Sequence, residues 1–237
     1  MENILKTLCL KAPEAIICLN GELPSLEQCS QLATQFPHIP ILAADGAAAK
    51  LRDFHLQPTV IVGDLDSLAN ELEYWQQQPV TICHIPDQNS TDFEKCLDYA
   101  LEHRFQHLLV LGADGGDLDH TLNNWSIIIR YGQHVHLTIT NAGQSCVPLY
   151  ESVRCSVQPQ SLVSLIPQPF ARLTTTGLQW NLNQELLALG IREGARNRAL
   201  DANFTLVLHE GALLVLLPSV FPYVYVPSSE PCLNYPQ

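Results

Sequence analysis

Short apolar runs, each followed by a turn sequence and separated from the next by a helix-like stretch, fill most of the first 140 residues of this chain. Near-continuous apolar runs of this length are typical of parallel strands that are buried on both faces. The alternation therefore predicts an α/β fold with a mostly parallel sheet and helices on its faces. The predicted strands are 15–19, 39–44, 59–62, 80–85, 107–111 and 134–140, and the predicted helices are 24–35, 46–54, 68–77, 91–103 and 119–131.

The pattern changes near residue 145, beyond which strand-like runs follow one another without long helices. His209-Glu210-Gly211 interrupts the last run and predicts a hairpin turn, and 186–189 predicts a short helical turn. We therefore expect two domains, an α/β domain over residues 1–143 and an all-β sandwich domain over residues 144–237. The predicted strands of the second domain are 153–157, 161–166, 171–176, 178–182 and 204–217.

Charge and cysteine spacing exclude several classes of protein. The 237 residues carry a formal net charge of −12, and a chain this acidic repels nucleic-acid backbones and anionic membranes. No apolar run reaches the roughly 18 residues of a membrane span, and the N-terminus lacks a basic segment followed by a long apolar one. The eight cysteines form no C-x-x-C pair, which favours buried free thiols. We expect a cytoplasmic protein that binds neither nucleic acid nor membrane.

Aspartates are concentrated where the predicted parallel strands end. Ten of the eleven lie between Asp45 and Asp119. The carboxyl ends of parallel strands meet at one edge of the sheet, where ligands bind in such folds. Several carboxylates at one edge predict a Mg²⁺ site, and the metal would admit an anionic substrate. The aspartates at strand exits are Asp45, Asp64, Asp66, Asp87, Asp114, Asp117 and Asp119, and Asp92 opens the helix after Asp87.

Each of these segments also has a purely structural interpretation. Asp45-Gly46 suits an ordinary turn, Thr91-Asp92-Phe93-Glu94 suits a helix capping box, and Asp119-His120 suits a helix start. The repetition of the same chemistry at four strand exits favours the metal site. The chain has no phosphate-binding P-loop and no G-x-G-x-x-G fingerprint, and a calcium loop starting at Asp64 fails at its sixth position, Ala69.

Four linked motifs resemble the thiamine pyrophosphokinase (thiamin diphosphokinase) family in order and spacing, and a fifth segment resembles its C-terminal part. Together they cover about residues 40 to 217. The segments are Ala44-Asp45-Gly46-Ala47, 61–67 (IVGDLDS), 87–95 (DQNSTDFEK), 112–124 (GADGGDLDHTLNN) and 175–182 (TTGLQWNL).

The resemblance implies an N-terminal α/β domain that binds nucleotide and Mg²⁺, and a C-terminal β-sandwich that binds thiamine. It implies transfer of a pyrophosphoryl group from ATP, the co-substrate, to thiamine, which gives thiamine diphosphate and AMP. It also implies a homodimer with active sites shared between subunits. The alternatives are another Mg²⁺-dependent phosphotransferase or nucleotide hydrolase on the same scaffold with a different acceptor, and a regulatory nucleotide-binding module.

On this basis we expect three aspartates, Asp64, Asp66 and Asp92, to hold Mg²⁺ against the triphosphate, and Asp45 to bind either the metal or the substrate. The hydroxyl proton of the acceptor would go to Asp92 or Asp119, a choice that the sequence leaves open. The remaining polar residues of these motifs are expected to bind phosphate or nucleotide, and they are Gln88, Asn89, Thr91, His120 and Asn123.

Two departures from the family pattern concern charge. Asp117 stands where bacterial members commonly have arginine in G-G-R-L-D-H. The family often carries a serine-rich S-x-S-N stretch that touches thiamine, and here it is represented by 194–197 (GARN), of which only Asn197 matches. Arg196 is therefore expected to reach toward the phosphates and compensate for Asp117. The resemblance implies that Asn197 and Trp180 bind the acceptor. Trp180 either stacks in the binding cleft or packs in the sandwich core.

Overall fold

A computed structural model of the chain describes residues 5–8, 10–68 and 71–219. Six parallel strands form one half of the sheet, in the order β7-β6-β2-β3-β4-β5. The chain runs outward from β2 to β5 and then returns to the other side of β2, which creates a switch point at that strand. The strands are β2 (Ala15–Cys18), β3 (Ile41–Ala44), β4 (Val60–Gly63), β5 (Thr81–His84), β6 (His107–Leu111) and β7 (His136–Thr140).

Helices connect these strands as the sequence predicts. Capping boxes start two of them, formed by the N-cap Ser25 with Gln28 in the first turn of α1 and by the N-cap Thr91 with Glu94 in the first turn of α4. The structural interpretation of the Thr91–Glu94 segment is thus confirmed, and Asp92 is the first residue of α4. The helices are α1 (Leu26–Gln35), α2 (Ala48–Asp53, preceded by a 3₁₀ turn, Asp45–Ala47), α3 (Leu72–Gln76), α4 (Asp92–Glu102) and α5 (Leu118–Tyr131).

The rest of the sheet is almost entirely antiparallel. Strand β8 pairs with β7, so that one sheet runs through both halves, and the first strand, β1, pairs in parallel with β9. The predicted fold class is confirmed, whereas the domain division at 143/144 stays a prediction at the turn before β8. The strands are β1 (Lys6–Leu8), β8 (Gln144–Leu149), β9 (Val153–Ser156), β10 (Leu162–Thr176), β11 (Glu185–Ala188), β12 (Gly194–Arg198) and β13 (Asn203–Pro218).

Several local predictions for this half are wrong. The runs 161–166 and 171–176 belong to one strand, β10, and the helical turn predicted at 186–189 falls largely within strand β11. The hairpin turn predicted at 209–211 is absent, because β13 continues through Gly211 with a register shift against β10. Gly211 has a φ of +86°, and a Cβ there would lie 2.1 Å from the Phe170 carbonyl oxygen. Residues 178–182 form an irregular loop with one isolated β-bridge, between Leu178 and Ala199, rather than a strand.

Two hydrophobic clusters stabilise the two halves. The larger one surrounds the parallel strands, and the smaller one lies among the antiparallel strands. Six cysteines in the described ranges are free thiols, and all but the half-buried Cys83 are buried; Cys9 and Cys232 lie outside those ranges. Among the described residues, every helix is too short or too polar to cross a bilayer.

Candidate active site

An open cleft of about 500 Å³ lies at the carboxyl edge of the parallel strands, beside the switch point at β2. The segments that follow β2, β3, β4 and β6 and the first turns of α4 and α5 contribute to its walls. This is the edge at which the sequence predicts a binding site. Residues at the cleft wall include Asn20, Gly21, Gly46, Lys50, Asp64, Thr91, Asp92, Lys95, Gly115, Gly116, Asp117, His120 and Asn123.

Three carboxylates meet at this end of the sheet. Asp45 follows β3, Asp64 follows β4, and Asp92 opens α4. One oxygen of each lies within 4.8 Å of the others. Lys95 joins them, with its Nζ 3.0 Å from Asp92 Oδ1 and 3.9 Å from Asp64 Oδ2, and its side chain is only 3% exposed. We call Asp45, Asp64 and Asp92 the carboxylate triad.

Asp45 is the most buried member of the triad. Its Oδ2 accepts a hydrogen bond of 2.8 Å from the Leu65 backbone, whereas the buried Oδ1 has no hydrogen-bond partner within the described chain. Burial, and then the nearby Asp92 carboxylate, raise the pKa of Asp45 to about 7. Gly63 makes room for it, because a Cβ there would lie 2.6 Å from Asp45 Cγ.

In contrast to Asp45, Asp64 has surroundings that stabilise its ionised form. The Asp66 backbone N–H and the Gln88 amide donate to its carboxylate, and with Lys95 they lower the pKa of Asp64 below its usual value. The Gln88 Nε2 lies 2.7 Å from Asp64 Oδ2. Asp64 is therefore ionised at neutral pH and has a fixed orientation.

The triad fits a divalent cation. Carboxylate oxygens are ligands that Mg²⁺ prefers, and a cation would satisfy the orphaned Oδ1 of Asp45. Three ionised carboxylates also carry more negative charge than Lys95 balances. The set differs from the predicted ligands, since Asp45 is included and the exposed Asp66 lies outside the group.

Several side chains of the polar loop before α4 form hydrogen bonds within the loop itself. Asn89 donates to Asp87 Oδ1 through both its backbone N–H and its side-chain amide, at 3.1 and 2.9 Å. The Ser90 hydroxyl donates to Asp87 Oδ2, and Thr91 caps the helix. Of the ligand-binding residues predicted in this loop, Thr91 lines the cleft, Gln88 orients Asp64, and Asn89 is engaged with Asp87.

The glycine-rich loop after β6 forms another part of the wall. Its glycines at 112, 115 and 116 have φ values of +71°, +80° and +75°, a region that disfavours side chains. Nothing lies within 4 Å of a Cβ built at Gly116, so the backbone there is open to a ligand. His120 and Asn123 line the cleft just beyond the loop, whereas Asp119 is exposed and accepts from the His120 backbone.

The three residues of the second half that are predicted to bind substrate, Trp180 and Asn197 for the acceptor and Arg196 for the phosphates, lie away from the cleft in the described chain. Trp180 is 57% exposed, which rules out its packing in the core. Asn197 is buried, and its side-chain amide bonds the Trp180 backbone at both the N–H and the carbonyl. Arg196 is exposed on β12. These three residues are not among those that line the cleft.

Sequence reasoning missed two lysines and one glycine of the site. Lys95 could have been found, since it lies among Phe93, Cys96 and Leu97 on the buried face of α4. A lysine on such a face needs a carboxylate partner. Lys50 and Gly63 carry no comparable sequence signal, because their roles depend on atoms that only the fold brings close.

Comparison with known proteins agrees with this geometry. The profile of the family "Thiamin pyrophosphokinase, catalytic domain" matches residues 37–140, which include the whole triad. This segment is similar to the catalytic domain of the thiamin pyrophosphokinase family. The resemblance inferred from the sequence motifs is thereby confirmed.

Whole-chain comparisons extend the likeness beyond the catalytic domain. "Thiamine pyrophosphokinase 1" of Oryza sativa subsp. japonica is 30% identical over 149 residues, covering 56% of this chain and 56% of that protein. "Thiamine pyrophosphokinase 2" of Arabidopsis thaliana is 28% identical over 211 residues, covering 74% and 75%. The matched segment thus spans little more than half of the rice thiamine pyrophosphokinase.

A solved structure, that of yeast thiamin pyrophosphokinase, shares the fold with a TM-score of 0.74. At 19% identity, the match covers 92% of this chain and 87% of the yeast chain. The antiparallel half is therefore part of the shared fold.

Proposed function

We propose that this chain transfers the pyrophosphoryl group of ATP to thiamine, which gives thiamine diphosphate and AMP. The observation that carries the proposal is the carboxylate triad with its buried Lys95, at the cleft of a thiamin pyrophosphokinase catalytic domain. Phosphoryl transfer depends mainly on positioning and on neutralisation of charge. A triad suited to a divalent cation beside an open cleft supports this chemistry.

The Mg²⁺ ligands would be Asp45, Asp64 and Asp92. When bound, Mg²⁺ neutralises phosphate charge as it develops in the transition state. Lys95 holds Asp92 and Asp64 in position, and Gln88 orients Asp64 from the other side. The ligands are thus oriented by hydrogen bonds in the protein alone, which favours binding without reorganisation.

The acceptor hydroxyl must lose a proton during attack on the β-phosphorus. Asp92 lines the cleft, whereas Asp119 is exposed and is already bonded to the His120 backbone. Position in the cleft favours Asp92, because a proton acceptor must lie within hydrogen-bond reach of the hydroxyl. Asp92 is, however, paired with Lys95 and assigned to Mg²⁺, so both carboxylates remain candidates. The open backbone at Gly116 and the side chains of His120 and Asn123 are suited to orient the nucleotide.

In a homodimer with shared active sites, the antiparallel half of one subunit would lie against the cleft of the other. Trp180 is exposed outside the cleft of its own chain, so it could complete the cleft of a partner subunit, whereas the buried Asn197 holds the Trp180 backbone in place. Seven of the nine large apolar side chains that are exposed in the described residues support such a contact, since they lie on α5 beside the cleft and on the antiparallel half. They are Leu118, Leu122, Trp180, Leu186, Leu189, Ile191 and Leu200. The free thiols are consistent with a cytoplasmic enzyme.

Incubation with ATP and Mg²⁺, with and without thiamine, tests the proposal. The expected result is AMP formed only with thiamine and in equal amount to thiamine diphosphate. Thiamine-independent ADP would instead support a nucleotide hydrolase. AMP that forms with another alcohol but not with thiamine would support a phosphotransferase with a different acceptor, and nucleotide binding without turnover would support a regulatory module.

A further inference from the structure

Lys50, on α2, lines the cleft and has no part in the metal site or in the nucleotide contacts described above. Its ammonium group donates to two backbone carbonyls at the exit of β2, those of Asn20 and Gly21, the latter at 2.9 Å. An ammonium group has three N–H donors, so one remains after these two bonds. The remaining donor belongs to a side chain that lines the cleft.

The charge of Lys50 is not neutralised by a carboxylate. Among the residues that the structure describes, Lys50 makes no ion pair, whereas Lys95, the other lysine at the cleft wall, is paired with Asp92 and Asp64. The two carbonyls fix the position of the Lys50 ammonium without cancelling its charge. A fixed cation with a free donor on a cleft wall is suited to bind an anion.

The other cations that could bind phosphate are placed differently. Arg196, predicted to compensate for Asp117, is exposed on β12 and is not among the residues lining the cleft. Arg52, also on α2, donates to Glu71 at 2.6 Å. Within one chain, Lys50 is therefore the cation best placed to balance the negative charge that Asp117 brings to this cleft.

We propose that Lys50 is a substrate-binding residue that contacts the phosphate chain of the nucleotide through its third N–H. This inference rests on the proposed function for the identity of the anion as a nucleoside polyphosphate. The triad would hold the metal-bound side of that chain, and Lys50 would bind phosphate oxygens from the wall formed by α2 and the β2 exit.

The test is calorimetric binding of a non-hydrolysable ATP analogue, with Mg²⁺, to the full chain and to Lys50→Met. Arg52→Met is the matched control, because it removes the same charge from the same helix outside the cleft. A hydrogen bond to a charged group corresponds to a loss of affinity of roughly 10- to 100-fold. We expect that loss for Lys50→Met alone, with adenosine binding unchanged and with Lys50→Arg recovering much of the affinity.

Lys50 also ties α2 to the β2 exit, so a second variant separates binding from folding. Lys50→Gln keeps amide donors for the two carbonyls and removes the charge, and it should lose nucleotide affinity while melting at the temperature of the parent. Equal affinities of Lys50→Gln and the parent for the analogue would overturn the inference, as would an equal loss of adenosine affinity.

The inference and the proposed function fail in different ways. If the parent protein forms no AMP with thiamine but its nucleotide affinity depends on Lys50, the proposed function fails and the role of Lys50 stands. If thiamine-dependent AMP forms and the Lys50 variants keep full nucleotide affinity, the inference fails alone.

Discussion

The parallel and antiparallel halves of this molecule share one sheet but place their functional residues differently. In the parallel half every strand exit points to the same edge, so residues distant in sequence such as Asp45, Asp64 and Asp92 meet within 4.8 Å. In the antiparallel half, connections alternate between the two ends of the strands, and Trp180 is left exposed in a loop. Parallel topology therefore brings the residues of a site together within one chain, whereas the antiparallel half offers exposed side chains such as Trp180.

The largest effect should come from breaking the triad. We expect Asp64→Asn to lower kcat by about 100-fold or more, because one metal ligand loses its charge. Asp66→Asn should have a clearly smaller effect, since Asp66 is exposed outside the triad. Steady-state rates at limiting and saturating Mg²⁺ measure both. Equal losses of kcat in the two variants would indicate that Asp66 is a metal ligand after all.

A substitution at Gly63 tests whether Asp45 belongs to the metal site. Gly63→Ala would place a Cβ 2.6 Å from Asp45 Cγ and displace that carboxylate from the triad. We expect a loss of roughly tenfold in apparent Mg²⁺ affinity, which is smaller than that of a missing ligand. Gly143→Ala is a suitable control, because the nearest described atom to its Cβ, Asn141 Oδ1, lies 3.9 Å away and its φ lies outside the left-handed region. A Gly63→Ala enzyme with normal Mg²⁺ dependence would contradict the role given to Asp45.

A substitution in the antiparallel half should weaken thiamine binding rather than metal binding. Trp180→Ala should raise the KM for thiamine several-fold and leave the KM for ATP unchanged, because Trp180 is exposed and is not among the residues that line the cleft of its own chain. Mixing this variant with Asp64→Asn tests whether the halves meet across subunits, since hybrid dimers would contain one complete site. Demonstrated subunit exchange without any gain in activity would rule out the shared site.

The smallest expected effect is on stability. The pKa of Asp45 is raised to about 7 in the folded chain, above its value of about 3.9 when unfolded, so the folded state binds the extra proton between these values. Without Mg²⁺, the melting temperature should therefore fall as pH rises from 5 to 7.5, by a few degrees. Asp45→Asn should remove this contribution to the slope. A slope that is the same in parent and variant would contradict the assignment.

Sequence reasoning placed the aspartates at the sheet edge where the cleft lies, for a topological reason. The apolar runs before Asp45 and Asp64 identify buried parallel strands, and their exits must share an edge. The sequence could not show that Asp45 joins Asp64 while Asp66 does not. That depends on the turn at Leu65, whose φ is +69°, and on the space left by Gly63.

The antiparallel half was harder to predict because its strands depend on long-range pairing. The segment 186–189 carries a pattern that suits a helical turn, yet pairing of Glu185–Ala188 with β10 makes it a strand. Gly211 is typical of a turn, but here it relieves the close approach of Phe170 within a continuous strand. Both outcomes were set by a neighbouring strand rather than by local sequence.

The most direct test of the account is the fate of the β-phosphorus of ATP. We would supply ATP labelled at that atom, with Mg²⁺ and thiamine, and separate the products. The account predicts that the label leaves with thiamine as its diphosphate, that the AMP is unlabelled, and that Asp64→Asn abolishes the transfer. Label retained in ADP, or released as inorganic pyrophosphate whether or not thiamine is present, would contradict it.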